Sequence, residues 1–143
     1  MTAINPSLVL GDTVINRSTS SVSVIKWLMK VPFLITGYFS TVSVYDVALA
    51  HVRALERPTI TKDKRYIISE NTYTVKDLVG MLRQEFNPYG YRFGYIPVPF
   101  SIQTFGTKLL NLFGLRGDRL FHYYNYDNSP SVRELGLSYR PIS

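Results

Sequence analysis

Cysteine is absent from the 143 residues. A disulfide scaffold, a thiol nucleophile, a Cys-ligated zinc and an iron–sulfur cluster are thereby excluded. Long apolar runs are lacking as well. The longest, Trp27 to Ile35, is broken by Lys30 and Pro32, whereas a membrane span needs about 20 apolar residues. The opening residues show no basic segment followed by an apolar core, so no secretory signal is read and a cytoplasmic location is expected. Nine glycines and eight prolines fall without period, which excludes collagen-like and low-complexity classes. Charged residues make up 18% and hydrophobic ones 45%, a balance that excludes disorder. Acids are fewer than bases, 10 against 16, for a net charge of +6. The excess is level along the chain: residues 1–71 and 72–143 each hold eight basic and five acidic residues. A nucleic-acid arm or a polybasic membrane tail would be clustered, so neither nucleic acid nor membrane is expected as a partner.

What is present alternates between strand and helix patterns. Ile4 to Gly11 is a continuous apolar run, which suits a strand buried on both faces of a parallel sheet. Such a strand needs neighbours, and none precedes it here, so an upstream element is expected. Val22, Ile25, Leu28 and Met29 recur at helical spacing, with Ser20 or Ser21 as the cap. Tyr38 to Val44 reads as a strand running into a helix with Val44, Val47, Ala48, His51, Val52 and Leu55 on one stripe. Asp46 lies in its first turn, and Pro58 ends it. Arg65 to Ser69 is a short strand. Thr74 caps a helix with Val75, Leu78, Val79, Leu82 and Phe86 inward. Asn87-Pro88-Tyr89-Gly90 is a turn. Phe93 to Val98 is extended, and Pro99 opens a helix with Ile102, Phe105, Leu109, Leu112 and Phe113 inward. Ser129-Pro130 starts a last helix that stops at Gly136. The fold class is therefore α/β, with a mostly parallel, partial Rossmann-like sheet and a small α/β lobe for substrate. Residues 1–71 are assigned to the sheet and its helices, and 72–143 mainly to the lobe and tail.

Three segments carry a resemblance. They are Asn5-Pro6-Ser7-Leu8-Val9-Leu10-Gly11, then Val42-Ser43-Val44-Tyr45-Asp46-Val47-Ala48-Leu49-Ala50-His51 with Arg65-Tyr66-Ile67-Ile68-Ser69 after it, and Tyr126-Asp127-Asn128-Ser129 through Leu137. In order and spacing the chain resembles the C-terminal half of the extended short-chain dehydrogenase/reductases, in the branch of dihydroflavonol and cinnamoyl-CoA reductases. The family usually has Gly-Pro at Gly11-Asp12, Asp and Arg at Ser43 and Tyr45, and Lys at Pro130. The resemblance implies NADP or NAD as cofactor in a complete member, reduction of an aldehyde or ketone, and a small-molecule carbonyl substrate. It places Pro6 and Ser7 against the nicotinamide, Ser21 near the pyrophosphate, and Tyr38 and Phe39 at the substrate-facing loop.

The chemical machinery of such a family is not in this chain. Its glycines never take the Gly-x-Gly-x-x-Gly spacing that seats a pyrophosphate. None of its eleven tyrosines has Lys four residues later, the spacing that puts phenol and ammonium on one helix face for proton transfer. No catalytic residue and no metal ligand set is assigned, and cofactor binding by the chain alone is not expected. His51 reads as a packed core histidine and His122 as a surface or aromatic-cluster residue. Asp127 and Glu134 read as helix-start electrostatics. The aromatics from Tyr89 to Phe105 read as core before pocket lining. Two other readings stand beside the reductase. One is a relative of 3β-hydroxysteroid dehydrogenases or sugar epimerases. The other is a non-catalytic binding protein that takes a partner on an exposed sheet edge. Expected partners are the remaining N-terminal half of such a fold or a second copy of the chain.

Overall fold

A computed structural model of the chain describes residues 1–12, 20–112 and 122–141, with the side chains of 20 and 109–112 outside that set. Two interleaved units make it up. Residues 1–21, 40–72 and 125–143 form the first, and 22–39 and 73–124 the second.

In the first unit, β1 (Ala3–Pro6) runs parallel to β5 (Arg65–Ile68), with Pro6 opposite Ile68. Strand β2 (Leu8–Leu10) runs parallel to β4 (Tyr38–Ser43), and β6 (Asn71–Thr74) joins that sheet in the order β2–β4–β6. The opening apolar run is thus two strands, not one. Pro6 has no N–H to give a ladder. Ser7 bends the chain while its N–H donates to Ile68 O at 3.0 Å, and the strand then changes neighbours. The expectation of burial on both faces fails too, since every residue from Ile4 to Leu10 is half-buried or exposed.

Ser43 caps α2 (Val44–Glu56), its hydroxyl accepting from Tyr45 N–H at 3.3 Å. The helix turns a different face inward from the one its apolar spacing suggests. Asp46 and Ala50 are buried, and Val47, Leu49 and Ala54 pack on the core, while Ala48, His51, Val52 and Leu55 are exposed. The cause lies in the first turn. Asp46 accepts from Arg140 N–H at 3.0 Å and lies 3.8 Å from Arg140 Nε, and a carboxylate held there brings position 50 inward with it. His51 is therefore no core histidine; its Nδ1 sits 2.8 Å from Val47 O on the surface. Pro58 does more than end α2, because it opens the one-turn α3 (Pro58–Thr61). The last helix, α6 (Ser129–Leu135), is closed by Gly136 in the left-handed region at φ 67°. It seats Leu135 and Leu137 against Val42, Ala50, Tyr66 and Ile68. Glu134 is at the far end of α6 rather than its start. It accepts from Tyr66 Oη at 2.5 Å and Lys64 Nζ at 2.8 Å.

In the second unit, α1 (Ser20–Lys30) buries Leu28 and half-buries Val24, Ile25 and Met29. Ser20 and Ser21 are its first two residues and not a flanking cap. Strand β3 (Phe33–Leu34) pairs in parallel with β7 (Ile96–Pro97), so the extended segment expected over 93–98 forms ladder only at two residues. Thr74 begins α4 (Val75–Phe86) with a reciprocal capping box to Asp77, and Val75, Leu78 and Val79 are buried as the spacing requires. A 3-10 turn at Asn87–Tyr89 ends at Gly90, φ 86°. Helix α5 (Phe100–Leu112) reverses the expectation for its stripe: Ile102 and Phe105 are 61% and 72% exposed, and Gln103 is buried. Gln103 sets that rotation, because Oε1 accepts from Thr36 N–H at 2.7 Å and Nε2 donates to Val98 O at 2.6 Å. The expected inward positions Leu109 and Leu112 (as side chains) and Phe113 lie outside the described residues. The core is Leu28, Val75, Val79 and Phe93, with Phe39, Leu82 and Phe86 packed on it. Of the aromatics from Tyr89 to Phe105, only Phe93 is core; Tyr89, Tyr91, Tyr95, Phe100 and Phe105 are exposed.

Candidate functional site

Ligands of open parallel sheets bind beyond the C-terminal ends of the strands. In the first unit, Pro6 is the exposed last residue of β1, and Ser7 follows it. Ser69 follows β5 and is buried, and its carbonyl accepts from Asn128 Nδ2 at 2.7 Å. The Ser7 hydroxyl is the notable group. Its Oγ is buried and has no hydrogen-bond partner among the described residues, although the Ser7 backbone is tied down by Ile68. An unpaired buried hydroxyl costs about 1–3 kcal/mol. Such a cost persists where a ligand or water completes the site.

A second buried hydroxyl has the same character. Thr41 Oγ1 is without a partner among the described residues, and Thr41 stands across the β2–β4 ladder from Leu8, the residue after Ser7. The sequence marks it only as a polar residue in an apolar strand. Beyond β2 the chain needs glycine: Gly11 has φ 143°, and a Cβ there would meet Val44 Cγ1 at 2.5 Å. Tyr45 Oη donates to Asp12 at 3.1 Å, and the Arg140 guanidinium lies 5.6 Å from the Tyr45 ring centroid. Ser43 and Tyr45, which replace the usual Asp and Arg, are thus both engaged, one as a cap and one between an acid and a cation.

The other expected positions are placed as follows. Ser21 is the second residue of α1 and half-buried. Tyr38 opens β4 and meets Tyr123 edge to face, centroids 5.4 Å apart. Phe39 packs on the core of the second unit. Pro6 and Ser7 adjoin one another in the first unit, and Tyr38 and Phe39 in the second. His122 is exposed and tilted against Tyr124 at 6.1 Å. The Ser129 hydroxyl first, and then Ser129 N–H, which donates to Asp127 at 3.0 Å, draw the Asp127 carboxyl below the usual range. Glu134 is lowered too, first by Lys64 and then by Tyr66. Burial, and then Glu134, push the Tyr66 phenol up to about 12, which makes it a poor proton donor at neutral pH.

Parallel strand pairs with interleaved helices match the α/β class expected from the sequence. No protein-family model matches the chain. It is 31% identical to the NADPH-dependent methylglyoxal reductase GRE2 of Saccharomyces cerevisiae over 99% of its own length and 39% of that protein's. Over its whole length the chain is thus similar to part of an NADPH-dependent reductase. The α/β fold agrees. The Candida albicans GRE2–NADPH complex superposes with TM-score 0.66 at 25% identity, covering 99% of this chain and 39% of that one. A nucleoside-diphosphate-sugar epimerase from Pseudomonas aeruginosa shares the fold, with TM-score 0.69 at 17% identity over 97% of this chain and 42% of that one. The chain thus spans about two-fifths of the length of these relatives. No helix among the described residues is long and apolar enough to cross a membrane.

Proposed function

We propose that this chain forms the C-terminal, substrate-binding portion of an NADPH-dependent carbonyl reductase, of the kind that dihydroflavonol and cinnamoyl-CoA reductases exemplify. The observation that carries the reading is the Ser7 hydroxyl, buried and unpartnered just past the end of β1, in a chain alignable along its length with an NADPH-dependent reductase. Bound there, the nicotinamide supplies hydride to an aldehyde or ketone. Pro6 lays an apolar ring against it and excludes water, and Ser7 offers the hydroxyl that orients its polar edge. Ser21, in the first turn of α1, is the residue for the pyrophosphate, since anions favour helix N-termini. Tyr38 and Phe39 supply apolar surface for the substrate. Its substrates are cytoplasmic carbonyl compounds, and its protein partner is the N-terminal part of such a fold or a second copy, with no nucleic acid.

Proton donation is assigned outside this chain's residues, because no tyrosine has a lysine four positions on. The chain by itself is therefore inactive. NADPH oxidation by the pure chain, followed with a panel of aldehydes and ketones, is expected to stay at the uncatalysed rate. Turnover that scales with the amount of chain would overturn the assignment of the chemistry to residues elsewhere.

A further inference from the structure

The level charge along the sequence hides an uneven split between the folded units. The second unit's residues number eight basic and three acidic, and the first unit's eight and seven, so the second carries +5 of the net +6. From residue 86 to residue 117 there is no acid at all. The second unit has a cleft of about 580 Å³ at the edge of that stretch, lined by Arg83, Asn87, Arg92, Phe93 and Tyr95, with Glu85 between the first two in sequence. That volume is in the usual range for small-molecule sites, roughly 300–1,000 Å³.

The walls of the cleft are fixed by contacts that leave its cationic groups in place. Arg83 Nε donates to Phe93 O at 3.0 Å and its Nη2 to Gly94 O, which ties the guanidinium to the loop it faces. Gly94 has φ 61°, and a Cβ there would stand 2.7 Å from Val79 Cγ1, so that loop lies flush on α4. Gly94 N–H also donates to Val31 O, and the Phe86 and Tyr91 rings meet edge to face at 6.1 Å. Arg92, by contrast, is exposed and has no hydrogen bond or ion pair among the described residues. No described lining residue is a carboxylate. The result is a held guanidinium edge, an uncommitted guanidinium, a side-chain amide and two aromatic rings around one hollow. Guanidinium forks match phosphate oxygens, and ring faces stack on flat apolar groups.

We infer that this cleft is a binding site for a small phosphate monoester carried on a planar ring, independent of the cofactor wall at Ser7. The phosphate sits between Arg83 and Arg92, Asn87 donates its amide, and the ring lies on Tyr95. The test uses the full chain, labelled with nitrogen-15, and phenyl phosphate as the probe. Titration should move the amide signals of residues 83–95 and few others. Inorganic phosphate should move the same signals at higher concentration, benzoate more weakly than phenyl phosphate, and benzyl alcohol hardly at all. R92A should weaken phenyl phosphate about tenfold or more, the loss of one charge-assisted contact, and R92K should recover part of it. Arg92 is exposed and makes no hydrogen bond or ion pair among the described residues, so its removal should leave the spectrum of the rest of the chain intact. Three results overturn the inference: unchanged affinity in R92A, equal shifts with benzyl alcohol, or shifts scattered over the basic residues of both units.

Discussion

Tyr66 joins the core to the charged surface, and the two roles separate by mutation. Its ring is 1% exposed within the Val42–Ala50–Ile68–Leu135–Leu137 cluster, and its hydroxyl donates to Glu134 at 2.5 Å. Truncation in Y66A removes the ring and leaves a cavity, worth about 3–5 kcal/mol. Y66F keeps the ring and removes only the hydroxyl. Glu134 then retains Lys64 at 2.8 Å, so the cost is that of one hydrogen bond to a charged acceptor at a half-open site, about 1–2 kcal/mol. The phenol pKa is raised from 10.0 to about 12, by burial first and Glu134 second. The folded state therefore holds the proton more tightly than the unfolded one. The stability that this contributes is complete below pH 10 and is lost as pH rises from 10 towards 12. Urea unfolding of wild type and Y66F at pH 8, 10 and 11.5 measures it. The gap between the two proteins should narrow across that window. A gap that stays constant or widens would refute the placement of a neutral phenol against the Glu134 carboxylate.

T74A removes the capping box of α4 and should cost about 1 kcal/mol. Because the Thr74 hydroxyl and backbone N–H hold the Asp77 carboxyl below its ordinary pKa, wild type should lose stability faster than T74A as pH falls through the carboxylate range, in the same denaturation assay. Q103L keeps the volume at the buried face of α5 but strips the partners of Thr36 N–H and Val98 O. It should cost about 1–2 kcal/mol and speed hydrogen exchange at Thr36; unchanged exchange would mean that Gln103 does not set the rotation of α5.

Elements whose signal is local were legible in the sequence. Thr74 as the cap of α4, Gly136 after α6, and the direct passage from β4 into α2 follow from capping, glycine and strand chemistry acting within a few residues; the Asp77 half of the capping box and the Ser43 cap appear only in the structure. Helix rotation was not legible where a buried polar residue decides it. In α2, Asp46 is drawn inward by Arg140, 94 residues away, and in α5, Gln103 is drawn inward by Thr36, 67 residues away. Apolar spacing names a stripe but cannot register a distant backbone donor. The two-residue strands β3 and β7 have too few residues for any period, and β1 and β2 differ from one strand only through the bend at Ser7. Of the candidate site, Pro6 and Ser7 were read through their family segment; the unpartnered state of Ser7 and Thr41 is visible only in three dimensions. The Arg83–Arg92 cleft was hidden because charge counted along the chain mixes the two units.

A hybrid tests the account most directly: the Saccharomyces cerevisiae methylglyoxal reductase with its aligned segment replaced by these 143 residues. NADPH binding and NADPH-dependent aldehyde reduction are expected to persist in the folded hybrid, with S7A raising the KM for NADPH several-fold while the melting curve holds. A hybrid that folds cooperatively but binds no NADPH, or one indifferent to S7A, would contradict the cofactor wall at the end of β1.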